Sequence, residues 1–362
     1  MVRLHDEKKL LGSLQLIGRC TVSCIFVLLA QFSLSLVPRF FSASPFLLQF
    51  ALSALLLLVV LGIGSCCRRL LGLHSSAPAF VFFNILFIWS FYVAVVRKVT
   101  SSLMDGLFNA EVAIMIIGLC SIQSTDPGLA THETLTSDKL VQSSSFGVDT
   151  HNQNSLPLRR IRYCKICKAH IKGLDHHCPA FGNCIGQNNY VLFMVLLVGF
   201  LTTETSYLVC SAQCKLSLAF GMGINKPKLG DPVNSIRSHI FKNAYTCYFF
   251  FHLCILSFFF PVVRNSRKFG RNSLEINLVG NLAISTMLFS IFQVLWQGVF
   301  LMWHVYCICF NVRTDEWINW KKYPEFQVVC SEPGESFSRV TFRNPYDKGI
   351  LQNIKDFVAL RE

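Results

Sequence analysis

Long apolar runs separated by short charged or polar stretches organise this chain. They fall at about Leu16–Val37, Phe46–Gly64, Ala79–Val96, Leu107–Ile122, Tyr190–Cys210, Ala244–Val263 and Ile276–Phe310. A bilayer core of roughly 30 Å needs about 20 predominantly apolar residues per helix, and these runs meet or approach that length. Pro38 and Arg39 divide the first two into a membrane hairpin. Glu111, near the start of the fourth run, is close enough to its end to reach the interface and is given no function. The pattern predicts an all-α polytopic membrane protein of about six transmembrane helices, with a small soluble part. Counting every late run as one crossing would put the C-terminus opposite the segment before Tyr190. The basic tail residues Lys321, Lys322, Arg339, Arg343 and Lys348 favour the same, cytosolic side. The conflict is resolved if the Ala244 run does not fully cross or the final stretch folds back once.

The polar stretches have their own order. Asp126-Pro127-Gly128 forms a turn after the fourth run, and a stretch up to Ser155, rich in Ser, Thr, Asn and Gln, reads as a flexible linker because it cannot build a core. A segment crowded with cysteine and histidine follows and joins without pause to the run at Tyr190, which holds it against the membrane surface. Lys139, Arg159, Arg160, Arg162, Lys165, Lys168 and Lys172 mark this loop as cytosolic. Four crossings before it put the N-terminus on the same side. Beyond the last run, Asn344 to Gly349 reads as a turn, and Ile350, Leu351, Ile354, Phe357 and Val358 recur at helical spacing, as in an amphipathic helix packed on the membrane or on the cytosolic cluster. The expected divisions are 1–122 (membrane), 123–157 (linker), 158–189 (cysteine-rich), 190–310 (membrane) and 311–362 (cytosolic tail).

Composition agrees: 52% of residues are hydrophobic and 15% charged. The net charge of +13 suits residues that border spans and face anionic headgroups rather than nucleic acid, and could attract a phosphorylated ligand such as coenzyme A. The 16 cysteines show no secreted disulfide framework. Cys66 and Cys67 precede Arg68 and Arg69 at the end of the second run, a setting for lipidation or simply two cysteines at a helix end.

The window from Cys164 to Asn189 holds four cysteines and three histidines. Cys164-x-x-Cys167 places two thiolates on one tight turn, half of a tetrahedral zinc site that His177 and Cys184 would close. A closed site is structural and supplies folding energy to a segment too small for a core. Cys178 is then left over. A free thiol is mostly protonated at neutral pH, and an adjacent imidazole raises its reactive fraction; His176 is the candidate base and Asp175 its orienter. A plainer alternative is that all of these side chains serve one or two zinc sites without catalysis.

Asp175-His176-His177-Cys178 resembles the signature of the DHHC family of protein S-acyltransferases, or palmitoyltransferases. The likeness runs from Cys164 to Phe193 and includes Cys184, Gly186 and Asn189. Outlying stretches are similar too: Asp126-Pro127-Gly128, Arg313-Thr314-Asp315-Glu316 as a variant of a Thr-Thr-x-Glu motif, and Asn344 to Phe357 with Asn353. The resemblance implies a zinc-stapled cysteine-rich domain between the fourth and fifth helices. It implies that Cys178 takes a long-chain acyl group from acyl-coenzyme A as a thioester and passes it to juxtamembrane cysteines of membrane-associated proteins, with His176 as base and Asp175 as orienter. The setting would be the endomembrane system (ER or Golgi) or the plasma membrane, with both termini and the cysteine-rich domain cytosolic.

This chain departs from the family pattern where a first zinc would sit. Thr150 and Gln153 replace the first Cys-x-x-Cys, Tyr163 replaces a His and His170 a Cys, so one structural zinc is expected and a looser loop from Thr150 to Tyr163. Ala180 stands for the usual Trp after Pro179, with Phe181 placed to fill the space, and reduced activity is the expectation. Two other functions compete. A catalytically weak or inactive zinc-binding membrane scaffold fits the lost first site. A transporter rests only on the number of spans, and few ionisable residues lie within them.

Overall fold

The structure, a computed structural model, describes residues 2–71, 75–131, 160–219, 273–330 and 339–359. Residues 132–159, with Thr150 and Gln153, and the run from Ala244 to Val263 lie outside the described residues. Six helices among the described residues are long and apolar enough to cross a membrane. They are α1 (Val2–Phe40), α2 (Phe46–Leu71), α3 (Ala77–Ala94), α4 (Ser102–Ser124), α5 (Tyr190–Ala219) and α6 (Ser273–Cys309). The cysteine-rich segment lies between the fourth and fifth. The protein is therefore an integral membrane protein. Of the two ways to reconcile the crossings, a fold-back of Ile276–Phe310 is not taken, since α6 is continuous over Ser273–Cys309 and contains no proline; the other concerns the Ala244 run, outside the described residues.

The chain divides into two compact units, one of residues 1–112 and 202–294, the other of 113–201 and 295–362. In the first unit the spans are joined by isolated polar pairs. Gln31 Nε2 donates to Asn84 Oδ1 across 3.1 Å, and Ser23 Oγ donates to Ser76 O at 2.8 Å. Such pairs hold helices together where lipid offers no hydrophobic drive. Pro78 in the first turn of α3 follows the capping Ser76. Asp105 clips α3 to α4 by accepting from Tyr92 Oη at 3.2 Å and Arg97 Nε at 3.0 Å. Glu111 does not reach out to an interface, since its Oε2 is buried and the side chain bonds Ser206. Cys66 is exposed near the end of α2.

In the second unit α4 and α5 approach closely at small residues. A methyl group at Gly118 would lie 2.2 Å from Leu196 Cδ2, and one at Gly199 would lie 2.6 Å from Met115 Sδ. Between them the cysteine-rich segment makes two antiparallel hairpins, β1 (Ile161–Cys164) with β2 (Ala169–Lys172), and β3 (His176–Cys178) with β4 (Asn183–Ile185). Asp126 Oδ1 accepts from the amides of Gly128 and Leu129, each at 2.9 Å, and fixes the predicted turn. That turn adds to β2, with Lys172 N donating to Gly128 O at 2.8 Å.

After α6 come a short helix α7 (Thr314–Asn319), a hairpin of β5 (Gln327–Cys330) with β6 (Arg339–Phe342), and the amphipathic α8 (Ile350–Ala359). α8 leaves Ile350, Leu351, Ile354 and Val358 exposed and buries Asn353. Asn353 Nδ2 donates to Cys309 O at 2.8 Å and ties α8 to the end of α6.

Gly186 is where the hairpins meet the turn. A Cβ there would lie 2.3 Å from Pro127 O and 2.7 Å from Ile171 Cγ2, so backbone must move. Gly186→Ala is expected to cost about 1–3 kcal/mol, as overpacking does. It should lower the thermal midpoint of the purified protein, whereas Gly106→Ala, with open space at its Cβ, should not.

Candidate functional site

Alternation along β3 divides the Asp-His-His-Cys run. Successive side chains of a strand point to opposite faces, so His177 faces one way while His176 and Cys178 face the other. His177 pairs directly with Cys184 on β4. The turn from β1 to β2 carries Cys164 and Cys167, with Lys168 in the left-handed region at φ 53°, and Cys167 N donates to Cys164 Sγ at 3.4 Å. The three sulfurs and His177 Nδ1 all lie within 4.8 Å of one another. One tetrahedral ion, with bonds of about 2.3 Å to sulfur and about 2.0 Å to nitrogen, needs donors about 3.5–3.8 Å apart. The separations found, 3.3 Å (Cys167 to His177), 3.4 Å (Cys184 to Cys167), 3.6 Å (Cys184 to His177) and 4.0 Å (Cys164 to His177), bracket that value. The donor set fits zinc in chemistry and in size.

On the other face, His176 Nδ1 lies 2.8 Å from Asp175 Oδ2, which leaves Nε2 for the hydrogen bond that His176 shares with Cys178. Asp175 is fully buried. Its Oδ1 accepts from Thr314 N and its backbone oxygen from Asp315 N, both at 3.0 Å. The Arg313 to Glu316 motif thus grips the acid. Burial opposes ionisation of Asp175, but the hydrogen bond and charge of His176 outweigh it and hold the carboxyl below its usual range. Burial likewise disfavours a charged His176, yet its bonds with Asp175 and Cys178 raise the imidazole to about 9.

Aromatic side chains wall this face. The His176 ring lies 5.5 Å from Phe193 on α5 and 6.3 Å from Phe300 on α6. Phe181 is buried and packs on Phe193 and Phe200 at 6.0 and 6.4 Å. The His176 ring therefore sits among residues of two helices apolar enough to span a membrane. Asn189 fastens β4 to α5, accepting from Gly186 N and donating to Cys184 O, each at 2.9 Å.

Some partners were not foreseen. Arg160 meets the buried Glu316 at 3.1 Å, donates to Asn311 Oδ1 at 2.7 Å and stacks over Tyr346 at 3.5 Å. Arg162 pairs with Glu325 and lies over the Tyr323 ring at 4.0 Å. The expected looseness does not extend to Arg160–Tyr163, which is pinned by these contacts and by pairing with β2. Tyr163 and His170 face each other at 5.0 Å between ring centres. His304, at the end of an apolar run, stands 3.9 Å from Asp175 Oδ2. Its one sequence signal is an ionisable residue inside a span.

Residues 150–260 match the family model described as DHHC palmitoyltransferase. The chain is 24% identical to Palmitoyltransferase ZDHHC17 of Mus musculus over 66% of this chain and 31% of that protein. It is 30% identical to Palmitoyltransferase ZDHHC3 of Homo sapiens over 27% of this chain and 35% of the relative. A putative ZDHHC-type palmitoyltransferase 1 of Dictyostelium discoideum is 48% identical over 12% of this chain and 10% of its own length. The chain spans about a third of the length of the first relatives it matches. The matched segment contains both faces of β3, so this part of the chain is similar to the DHHC palmitoyltransferases.

Proposed function

We propose that the protein is a protein-cysteine S-acyltransferase that moves a long-chain acyl group, palmitoyl being the expected one, from acyl-coenzyme A to cysteines of membrane-associated proteins. The observation that carries this reading is Cys178 bonded to His176, itself held by the buried Asp175, beside two membrane-spanning helices. In the first step the Cys178 thiolate attacks the thioester carbonyl. The new carbon–sulfur bond forms as the bond to coenzyme A breaks, and the coenzyme A thiolate takes the proton held by His176. In the second step a substrate cysteine gives its proton to His176 and attacks the Cys178 thioester, which regenerates the Cys178 thiolate. Asp175 keeps Nδ1 of His176 occupied throughout, so Nε2 remains the atom facing the sulfur.

Cys164, Cys167, His177 and Cys184 would hold one zinc, whose role is to staple the two hairpins and so to fix the strand that carries His176 and Cys178. The basic residues of the cysteine-rich segment and tail support a cytosolic face for both, in an endomembrane or plasma membrane. The exposed apolar residues of α8 suit that boundary.

The test is direct. Purified wild type incubated with labelled palmitoyl-coenzyme A should carry label on the Cys178 peptide that neutral hydroxylamine removes, and should pass it to an added membrane-anchored cysteine peptide. A folded, zinc-loaded protein that takes no label would overturn the assignment.

A further inference from the structure

We propose that His304 on α6 is a positioning residue of the catalytic centre, a second imidazole that fixes the Asp175 carboxylate on which His176 depends. The inference rests on the acyl-transfer reading for what the centre does, but on geometry alone for how it is built. His304 is fully buried within an apolar helix, where an ionisable side chain is costly to keep. Its ring stands edge-on to Phe193 at 4.8 Å and to Phe300 at 4.5 Å, a box that a Phe or Leu would fill without a polar atom. Its Nε2 has no hydrogen-bond partner among the described residues, so satisfying the fold does not explain the residue.

The other nitrogen does. Nδ1 lies 3.0 Å from Tyr190 Oη and 3.9 Å from Asp175 Oδ2. Asp175 has Oδ1 anchored by the Thr314 amide and Oδ2 bonded to His176, and the remaining side of Oδ2 faces His304. A negative oxygen there selects the tautomer with hydrogen on Nδ1, because the other would aim a lone pair at the carboxylate. That hydrogen is donated to Tyr190 Oη, 3.0 Å from Nδ1, while Asp175 Oδ2 stands 3.9 Å from the same nitrogen. Tyr190 is fixed in turn by the Arg313 guanidinium, 4.6 Å over its ring. The order Tyr190, His304, Asp175, His176, Cys178 thus runs from the start of α5 to the thiol.

The same three groups, Asp175, His176 and His304, lie close enough to suggest a metal site. The 2.8 Å between Asp175 and His176 is a hydrogen bond, however, shorter than the roughly 3.3 Å between ligands of one tetrahedral ion.

The experiment compares His304→Asn, which keeps a donor near the Nδ1 position, with His304→Phe, which keeps the ring but no polar atom. Both are made in the full chain and checked for metal content and thermal midpoint. The Phe variant should form the Cys178 thioester about 10- to 100-fold more slowly in single turnover, the loss typical of removing an outer-shell partner. Its half-saturating acyl-coenzyme A concentration should not change, and the Asn variant should stay within about threefold of wild type. Alkylation of Cys178 by iodoacetamide, read on its peptide by mass spectrometry, should fall in the same order. Equal rates for Phe and wild type, or equal losses for Asn and Phe, would overturn the proposal. If wild type takes no acyl group at all, the acyl-transfer reading fails alone, and the alkylation order still decides the role of His304.

Discussion

Cys178→Ser is expected to abolish acyl-enzyme formation, by at least about 10³-fold, while leaving metal content and thermal midpoint unchanged. The separation of effects follows from the alternation of β3. Cys178 is buried on the face opposite His177 and is absent from the set of donors that lie within 4.8 Å of one another, so its sulfur is not needed to hold the hairpins. Serine keeps nearly the same volume, and its hydroxyl still fits the hydrogen bond with His176. What it lacks is acidity: a thiol near its pKa of about 8.5 is partly ionised at neutral pH, whereas a hydroxyl must lose its proton during attack. The measurement pairs hydroxylamine-sensitive labelling with metal analysis of the same sample. Label retained in Cys178→Ser would move the nucleophile elsewhere, Cys167 being the exposed thiol nearest the site. Undisturbed cellular function in that variant, with label lost, would favour a scaffold.

The spans and the clustering of Cys164, Cys167, His177 and Cys184 were legible because each is written locally. Six apolar runs became helices over close to the expected residues, and the four metal donors lie within one short window of sequence. The division of Asp175 to Cys178 into two faces follows from strand alternation, but His176–Cys178 gives no strand signal by itself: it is polar and short, and the pairing with Asn183–Ile185 creates the strand. Contacts across long stretches of chain were not legible. Arg160 reads as one more positive charge of a cytosolic loop, yet it reaches Asn311, 151 residues away, and the buried Glu316. His304 reads as a lone polar residue in an apolar run, and only folding brings it beside Asp175. The β5–β6 hairpin has one local signal, the turn-forming Pro333-Gly334 between its strands. A fold-back of the final run was one of two ways to reconcile the count of crossings; α6 is continuous and contains no proline, and the other way, a partial crossing of Ala244–Val263, lies outside the described residues.

Loss of the metal should be the more drastic lesion. The cysteine-rich segment buries only a small cluster, Cys164, Ile171, Leu174 and Cys184, with Ala169 against it, and two of those four are themselves metal donors. Segments of this size rarely hold together by apolar burial alone, whereas a structural zinc contributes about 10–16 kcal/mol of apparent binding energy to folding. Cys184 is the donor to remove, since it is fully buried and sits opposite His177 on the partner strand. Cys184→Ala is expected to lose the zinc, to expose the segment around residues 160–189 to protease and to abolish labelling of Cys178, even though Cys178 itself is intact. Chelation of the wild type should reproduce all three changes, and zinc added back before aggregation should reverse them. The catalytic loss has a geometric cause: once β3 is no longer stapled to β1–β2, Asp175 loses the register that places its carboxylate against Thr314 N and His176. A Cys184→Ala protein that kept its zinc, resisted protease and still acquired label would show that the hairpins are held by the Arg160, Arg162 and Glu316 network instead, and that the metal is dispensable for the fold.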